Sequence, residues 1–180
     1  SALSLAQSAA IVHRDIQPDN VMIRPDGFVK ILDVGIAKLS EKQNTAIESE
    51  DATAIQQPST SPGTIIGTPN YMSPEQAKGQ TVDERTDIFS FGVLFYEMMA
   101  GEPPFVGETA MEMIEAILNK EAKPLLADIP TEITKISGKC LRKDNDVSYQ
   151  TITTVVHDRQ NVKRVLAFQA DFVLSLIHNP

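Results

Sequence analysis

The chain is organised around the stretch HRDIQPDN, residues 13–20, and the triplet DVG, residues 33–35. Asp15 and Asn20 belong to the first motif, and Asp33 begins the second. Carboxylate and amide oxygens are the ligands that hard cations such as Mg²⁺ prefer, and magnesium commonly takes only one or two carboxylates beside substrate phosphates. We therefore expect these three side chains to surround one point that suits such a cation.

A predicted β-hairpin connects the two motifs. Residues 21–23 and 28–32 are short apolar strand candidates, and the intervening Arg24-Pro25-Asp26-Gly27 is a turn sequence. Pro presets φ in such a turn and Gly accepts a positive φ. The hairpin would return the chain to its starting point, so that residues 33–35 lie beside residues 13–20.

Helical patterns account for most of the remaining chain. Ser73 followed by Pro74 is a helix start, and Thr109 with Glu112 forms a capping-box pattern. The segment 83–101 is apolar almost all round, which predicts a helix buried in the middle of a domain. Further helices are expected at residues 3–10, 133–141 and about 151–177. The sequence predicts a mainly helical α+β domain.

Composition limits the classes of function. A chain of 180 residues that is 42% hydrophobic forms one domain with a core. The net charge of −8 and the absence of a basic patch argue against nucleic acid as a partner. The single cysteine, Cys140, excludes an internal disulfide and fits a core position. The longest apolar stretch, 88–100, is too short and polar to span a bilayer.

The start of the chain indicates a longer protein. Ser1 is not an initiator Met, and it lies within an apolar periodic stretch with no signal peptide. We expect a piece of a cytoplasmic protein, in which any membrane anchor comes from sequence outside this chain.

Four motifs in a fixed order resemble those of protein kinases: residues 13–20, DVG at 33–35, GTPNYMSPE at 67–75 and DIFSFG at 87–92. The chain is similar to the C-terminal lobe of a eukaryotic-type serine/threonine protein kinase, and most like the bacterial branch. The resemblance implies a protein-kinase-like fold, C-lobe only, with a helical lobe and a small β-hairpin beside the catalytic loop.

The resemblance also implies a domain division. Residues 1–155 would be a partial kinase domain, with an activation loop at about 33–75. Residues 156–180 would be a C-terminal helix and the start of a downstream region.

The resemblance assigns a chemical role to each matching residue. Asp15 would be the catalytic base. Thr68 would hydrogen-bond near it and favour Ser/Thr hydroxyls over tyrosine. Asn20 and Asp33 would bind the cofactors, holding Mg²⁺ on the phosphates of ATP.

Other matching residues would support or regulate the site. His13 would pack near the DVG triplet, Asp87 would bond the catalytic-loop backbone, and Glu75 would pair with an arginine. Arg14 would meet a phosphate on the activation loop, because a phosphate forms charge-assisted bonds with guanidinium. The candidate acceptors of that phosphate are Thr60, Ser61 and Thr64. The polar segment 37–64 fits equally a long solvated loop and a phosphorylatable switch.

Four residues depart from the family pattern. Gln17 stands where these kinases carry a lysine, and losing one such contact at a developing charge can lower the rate by about 10²–10³. Val34 replaces a phenylalanine, which loses roughly 1–2 kcal/mol of burial. Ser148 stands where an arginine would pair with Glu75, so we expect Glu75 to lack that partner. Ala10 stands where a glycine usually ends the preceding helix.

The leading hypothesis is a serine/threonine kinase fragment that transfers the γ-phosphate of ATP to the hydroxyl of a protein substrate. The 180 residues contain no G-x-G-x-x-G loop and no strand lysine of the Val-Ala-Ile-Lys type. We therefore expect the chain alone to be inactive and to bind Mg-ATP weakly. The alternative is a pseudokinase or scaffold that binds protein partners, motivated by Gln17, Val34 and Ser148. A decayed gene product is a third hypothesis.

Overall fold

The structure is a computed structural model that describes residues 2–32, 69–125, 129–144 and 146–177. It is mainly helical with one two-stranded antiparallel sheet, which confirms the expected fold class. The elements in chain order are α1 Ala2–Ser8, β1 Val21–Ile23, β2 Val29–Ile31, α2 Pro74–Ala77, α3 Glu84–Ala100, α4 Ala110–Asn119, α5 Thr131–Cys140 and α6 Ile152–Ile177. Short 3-10 turns lie at Pro18–Asn20 and Pro69–Tyr71.

The hairpin forms at the predicted place with a slightly shorter second strand. Its register pairs Val21 with Ile31 and Ile23 with Val29. Gly27 takes φ +79°, which is the positive φ that the turn sequence required. The strands therefore carry the chain from the first motif back toward its starting point.

Helix α3 is the centre of the fold. Asp83 accepts a hydrogen bond from the Arg85 amide at its start, and Gly101 ends it in the left-handed region at φ +76°. Two buried clusters flank the helix. The first comprises Phe89, Val93, Tyr96, Phe105, Met113, Ala116, Ile117 and Leu141. The second comprises Ile88, Ile136, Cys140, Tyr149, Ile152, Val155 and Val162. A helix with apolar residues nearly all round is explained by burial on both sides.

The last turn of α3 departs from this burial. Met98 is 66% exposed and Met99 is 37% exposed, although the sequence pattern placed both in the core. The last buried member of α3 is Tyr96. In the last turn Ala100 still packs against the first cluster, whereas Met98 and Met99 belong to neither cluster.

Helices α3 and α5 approach each other closely at Gly92. A Cβ at this position would lie 2.6 Å from the Cβ of Cys140. Cys140 is fully buried, which confirms its expected place in the core. Within the described residues, none of the helices combines the length and apolar character needed to cross a bilayer.

Candidate active site

Asp15 lies on the exposed surface with one carboxylate oxygen held in place. Its Oδ2 accepts hydrogen bonds from Asn20 Nδ2 at 2.7 Å and from Gln17 Nε2 at 3.3 Å. The same Asn20 nitrogen also donates to the Asp15 backbone carbonyl at 2.8 Å. The other oxygen, Oδ1, receives no hydrogen bond from the described residues. The loop therefore orients the carboxylate and leaves one oxygen available to a ligand.

His13 joins this loop to the strand that precedes the second motif. Its Nδ1 accepts from the Asp15 amide at 3.3 Å, so Nε2 carries the proton and donates to the Leu32 carbonyl at 2.9 Å. The Leu32 amide in turn donates to the Asn20 carbonyl at 2.8 Å. These contacts bring the residue before Asp33 to both ends of the loop. His13 is 2% exposed, and its ring contacts with Asp15 and Leu32 are partly buried.

Asp87, in the first turn of α3, binds the backbone of the loop that carries Asp15. Its Oδ2 accepts from the His13 amide at 2.7 Å and its Oδ1 from the Arg14 amide at 2.8 Å. The residue is 7% exposed, and burial raises the pKa of its carboxyl while the two backbone N–H groups oppose that rise. The kinase resemblance had implied a contact between Asp87 and this backbone.

Gln76 also contacts the loop, and sequence reasoning gave it no role. Its Nε2 donates to the Arg14 carbonyl at 2.8 Å across 62 residues of sequence. The pattern of Ser73 followed three residues later by Gln76 is a capping-box signature, and that reciprocal cap is present. The signature predicts the cap but not the long-range contact.

Glu75 is buried at 6% exposure, and its partner is not the one the family pattern would supply. Its Oε1 accepts from the Thr86 hydroxyl at 2.5 Å. Thr86 Oγ1 in turn accepts from the Ser73 hydroxyl at 3.3 Å. Ser148 donates instead to the Lys139 carbonyl at 3.2 Å. Among the described residues Glu75 has no ion pair, and the Thr86 hydroxyl is its side-chain donor.

The chain from residue 1 to residue 158 matches the family model for the protein kinase domain. The chain belongs to the protein kinase family. Its kinase relatives include a probable serine/threonine-protein kinase of Clostridium acetobutylicum, 35% identical over 165 residues that cover 90% of this chain and 23% of the relative. Serine/threonine-protein kinase PknB of Mycolicibacterium smegmatis is 34% identical over 178 residues, covering 97% of this chain and 26% of the relative.

A third kinase relative, the probable serine/threonine-protein kinase PknB of Bifidobacterium longum, is 38% identical over 154 residues, covering 84% of this chain and 21% of the relative. The chain therefore spans about a quarter of the length of the curated kinases it matches. The expected resemblance to bacterial serine/threonine kinases is confirmed.

Several residues to which the kinase pattern gives a role lie outside the described residues. They are Asp33, Val34, Thr60, Ser61, Thr64 and Thr68. Their roles stay predictions. Four described residues to which the resemblance assigns roles contact one another: Asn20 bonds Asp15, Asp15 bonds His13 and His13 bonds Asp87.

The donor set at Asn20 fits the magnesium ion that kinases use. Both described hydrogen bonds of its side chain involve the amide nitrogen Nδ2, so within the described part of the chain the side-chain oxygen Oδ1 has no donor. An amide oxygen is a ligand that Mg²⁺ accepts. No three His, Cys, Asp or Glu side chains converge among the described residues. The expected pair of Asn20 and Asp33 contains only one such side chain, and Asp33 lies outside the described residues.

Proposed function

We propose that this chain forms the phosphoryl-transfer half of a serine/threonine protein kinase, with Asp15 as the catalytic base. The observation that carries the proposal is the state of the Asp15 carboxylate. Oδ2 is occupied by Asn20 and Gln17, and Oδ1 has no donor among the described residues. A base needs one oxygen within reach of the proton that it takes and a support that fixes its direction.

The proposed reaction follows from that arrangement. A serine or threonine hydroxyl of a protein substrate hydrogen-bonds to Asp15 Oδ1. Its oxygen forms a bond to the γ-phosphorus of ATP while the bond from that phosphorus to the β,γ-bridging oxygen breaks. Asp15 takes the hydroxyl proton, and ADP leaves with the bridging oxygen. Positioning supplies most of the catalysis in such transfers, because little covalent chemistry falls to the protein.

Asn20 and Asp33 are proposed to hold the magnesium. When bound, the ion neutralises charge on the ATP phosphates. Asn20 is suited to this because its amide nitrogen is committed to Asp15 and its amide oxygen is not. The same side chain would thus fix the base and contribute one ligand.

The test is phosphate transfer by the full-length protein to a mixture of serine-, threonine- and tyrosine-containing peptides. We expect Asp15→Asn to lower kcat by at least about 10², in line with the contribution of a general base. We expect labelled serine or threonine and no labelled tyrosine. Transfer that is unchanged in Asp15→Asn would refute the assignment of the base.

A binding role without catalysis is the second candidate, and Gln17 supports it. Its amide lies 3.3 Å from Asp15 Oδ2, where the family pattern places a lysine. A neutral amide supplies less stabilisation to a transferring phosphate than a cation does. Gln17→Lys separates the candidates: a kinase with a weakened site gains activity, whereas a scaffold stays inactive in both forms and is indifferent to Asp15→Ala.

The isolated 180-residue chain is proposed to be inactive, because the nucleotide-covering motifs are not among its residues. Calorimetry of the isolated chain with Mg-ATP tests this, and micromolar affinity would overturn it.

The domain division at residues 155 and 156 also remains a proposal. Helix α6 runs through that point without a break.

Regulation through Arg14 is a further part of the proposal. Its Nη1 is buried and has no hydrogen-bond partner among the described residues. A buried guanidinium nitrogen without a partner suits an anion such as a phosphorylated residue. The candidates are Thr60, Ser61 and Thr64. Phosphopeptide mapping of active protein tests this, and an unmodified 45–64 segment would contradict it.

A further inference from the structure

Arg14 occupies an unfavourable backbone conformation immediately before Asp15. Its φ is +67°, in the left-handed region that residues other than glycine rarely adopt. Such conformations persist only when surrounding contacts over-determine them. The direction of Asp15 therefore depends on whatever holds the Arg14 peptide groups.

Both backbone polar atoms of Arg14 are held by side chains from other elements. Its N–H donates to Asp87 Oδ1 at 2.8 Å, and its carbonyl accepts from Gln76 Nε2 at 2.8 Å. Asp87 belongs to α3 and Gln76 to α2. We call these two hydrogen bonds, from Arg14 to Asp87 and from Gln76 to Arg14, the Arg14 clamp. The sequence analysis gave no role to Gln76.

The Gln76 side chain is itself fixed in direction. Its Oε1 accepts from the Ser73 amide at 3.0 Å, while its own backbone amide donates to Ser73 Oγ at 3.3 Å. Because the capping box anchors one end of the side-chain amide, the other end can point only toward a narrow range of positions. The Arg14 carbonyl occupies one of them.

We propose that Gln76 is a positioning residue for the reaction: it holds Arg14 in the left-handed conformation and so directs Asp15. This inference rests on the proposed function. The described hydrogen bonds of the Gln76 side chain go to Ser73 and Arg14. Gln76 acts through the Arg14 carbonyl, and it directly follows the predicted activation loop. The start of α2 is therefore tied to the catalytic loop by one hydrogen bond.

Gln76→Glu separates this role from the helix cap. Glutamate keeps an acceptor for the Ser73 amide and is a regular capping-box residue, but it places an oxygen where Nε2 now donates. Gln76→Leu removes both contacts without adding a charge. Ser73→Ala is the matched control, because it removes the hydroxyl half of the cap, together with the bond to Thr86, and leaves the backbone amide that anchors Gln76.

The experiment measures steady-state kinetics and mass-spectrometric hydrogen exchange of residues 13–17 in the full-length protein. We expect Gln76→Glu and Gln76→Leu to lower kcat about tenfold or more, with KM for ATP and for peptide within twofold of wild type. A displacement of about 1 Å in a reacting group can lower rates by 10². We expect faster exchange at residues 13–17 in both Gln76 variants and wild-type kcat in Ser73→Ala.

The outcomes separate the two proposals. Wild-type kcat in both Gln76 variants would overturn the positioning role and leave the kinase function intact. An equal loss of kcat in Ser73→Ala would overturn it too, because the cap alone would then explain the effect. If the wild-type protein transfers no phosphate in an Asp15-dependent way, the proposed function fails. Hydrogen exchange of residues 13–17 then tests the Gln76 contact by itself. Unchanged exchange rates in the Gln76 variants would overturn the proposal that Gln76 holds Arg14, and faster rates would support it.

Discussion

The substitution Ala10→Gly should stabilise the protein, although it introduces a more flexible residue. Ala10 takes φ +55°, just beyond the end of α1. Its amide donates to the Gln7 carbonyl at 2.9 Å, and the Ile11 amide donates to the Ala6 carbonyl at 2.9 Å. This is the Schellman arrangement, in which glycine normally occupies the left-handed position. An alanine there is strained.

The magnitude follows from two opposing terms. An L-residue in the left-handed region is less stable by roughly 1–2 kcal/mol, and glycine removes that strain. Glycine also raises the conformational entropy of the unfolded chain, which offsets about 0.4–1 kcal/mol. The expected net gain in the free energy of unfolding is about 0.5–1 kcal/mol.

Ala9→Gly is the matched control, because Ala9 is exposed like Ala10 but does not have a positive φ. It should destabilise the protein by roughly 0.5–1 kcal/mol, since it adds the entropy term without relieving strain. The two variants should thus differ by about 1–2 kcal/mol.

Pulse alkylation of Cys140 along a urea titration measures the unfolding of this domain. Cys140 is fully buried, and burial raises the pKa of its thiol to about 12, so the folded protein reacts slowly at pH 8. Mass spectrometry of the Cys140 peptide gives the midpoint for each variant. Ala10→Gly that is as destabilising as Ala9→Gly would refute the argument from backbone strain.

Three further predictions concern the core. Gly92→Ala should destabilise the protein by about 1–3 kcal/mol, because its Cβ would lie 2.6 Å from a Cβ on α5. Gly138→Ala is the control, because a Cβ there would meet open space, and it should not destabilise the protein in urea unfolding. Equal effects of the two substitutions would contradict the predicted clash. Thr86→Val should lower the free energy of unfolding by about 1.5–3 kcal/mol, since it leaves the buried Glu75 carboxylate without its described donor; a change below about 0.5 kcal/mol would oppose this. Burial lowers the pKa of Lys143 from 10.5 to about 8. Between these pH values the unfolded chain binds more protons than the folded protein, so the free energy of unfolding rises with pH. Lys143→Met should lack this rise, and stability profiles that run parallel for the two proteins would exclude a role of Lys143.

Local signals in the sequence predicted most of the fold. The turn at 24–27, the cap at Ser73 and the stop at Gly101 each act within a few residues, and each is present in the structure. The burial of α3 was predicted from its apolar pattern. The exposed Met98 was not, because a pattern gives the hydrophobicity of a helix but not which part of its surface the neighbouring elements leave uncovered.

The supports of the candidate site were harder to predict from the residues. Resemblance pointed to Asp87, but nothing in the sequence pointed to Gln76 or to the contact between Thr86 and Glu75. Each of these residues is a polar side chain whose type allows many partners, and the partner is chosen by packing. The Gln76 contact joins residues 62 positions apart, beyond the reach of any local pattern.

Residues of its own loop hold the Asp15 carboxylate, whereas the backbone just before Asp15 is held from outside the loop. Asp87 lies between Thr86 and Ile88, two residues of α3 with no exposed surface. Because both neighbours are buried, the Asp87 backbone can shift only if the helix shifts, and close-packed cores resist such shifts. The loop thus receives the rigidity of α3 through Asp87, whereas its second support comes from the four-residue helix α2. Because a short helix has little stability of its own, we expect changes near α2 to reach Asp15, the proposed base, through the Gln76 hydrogen bond.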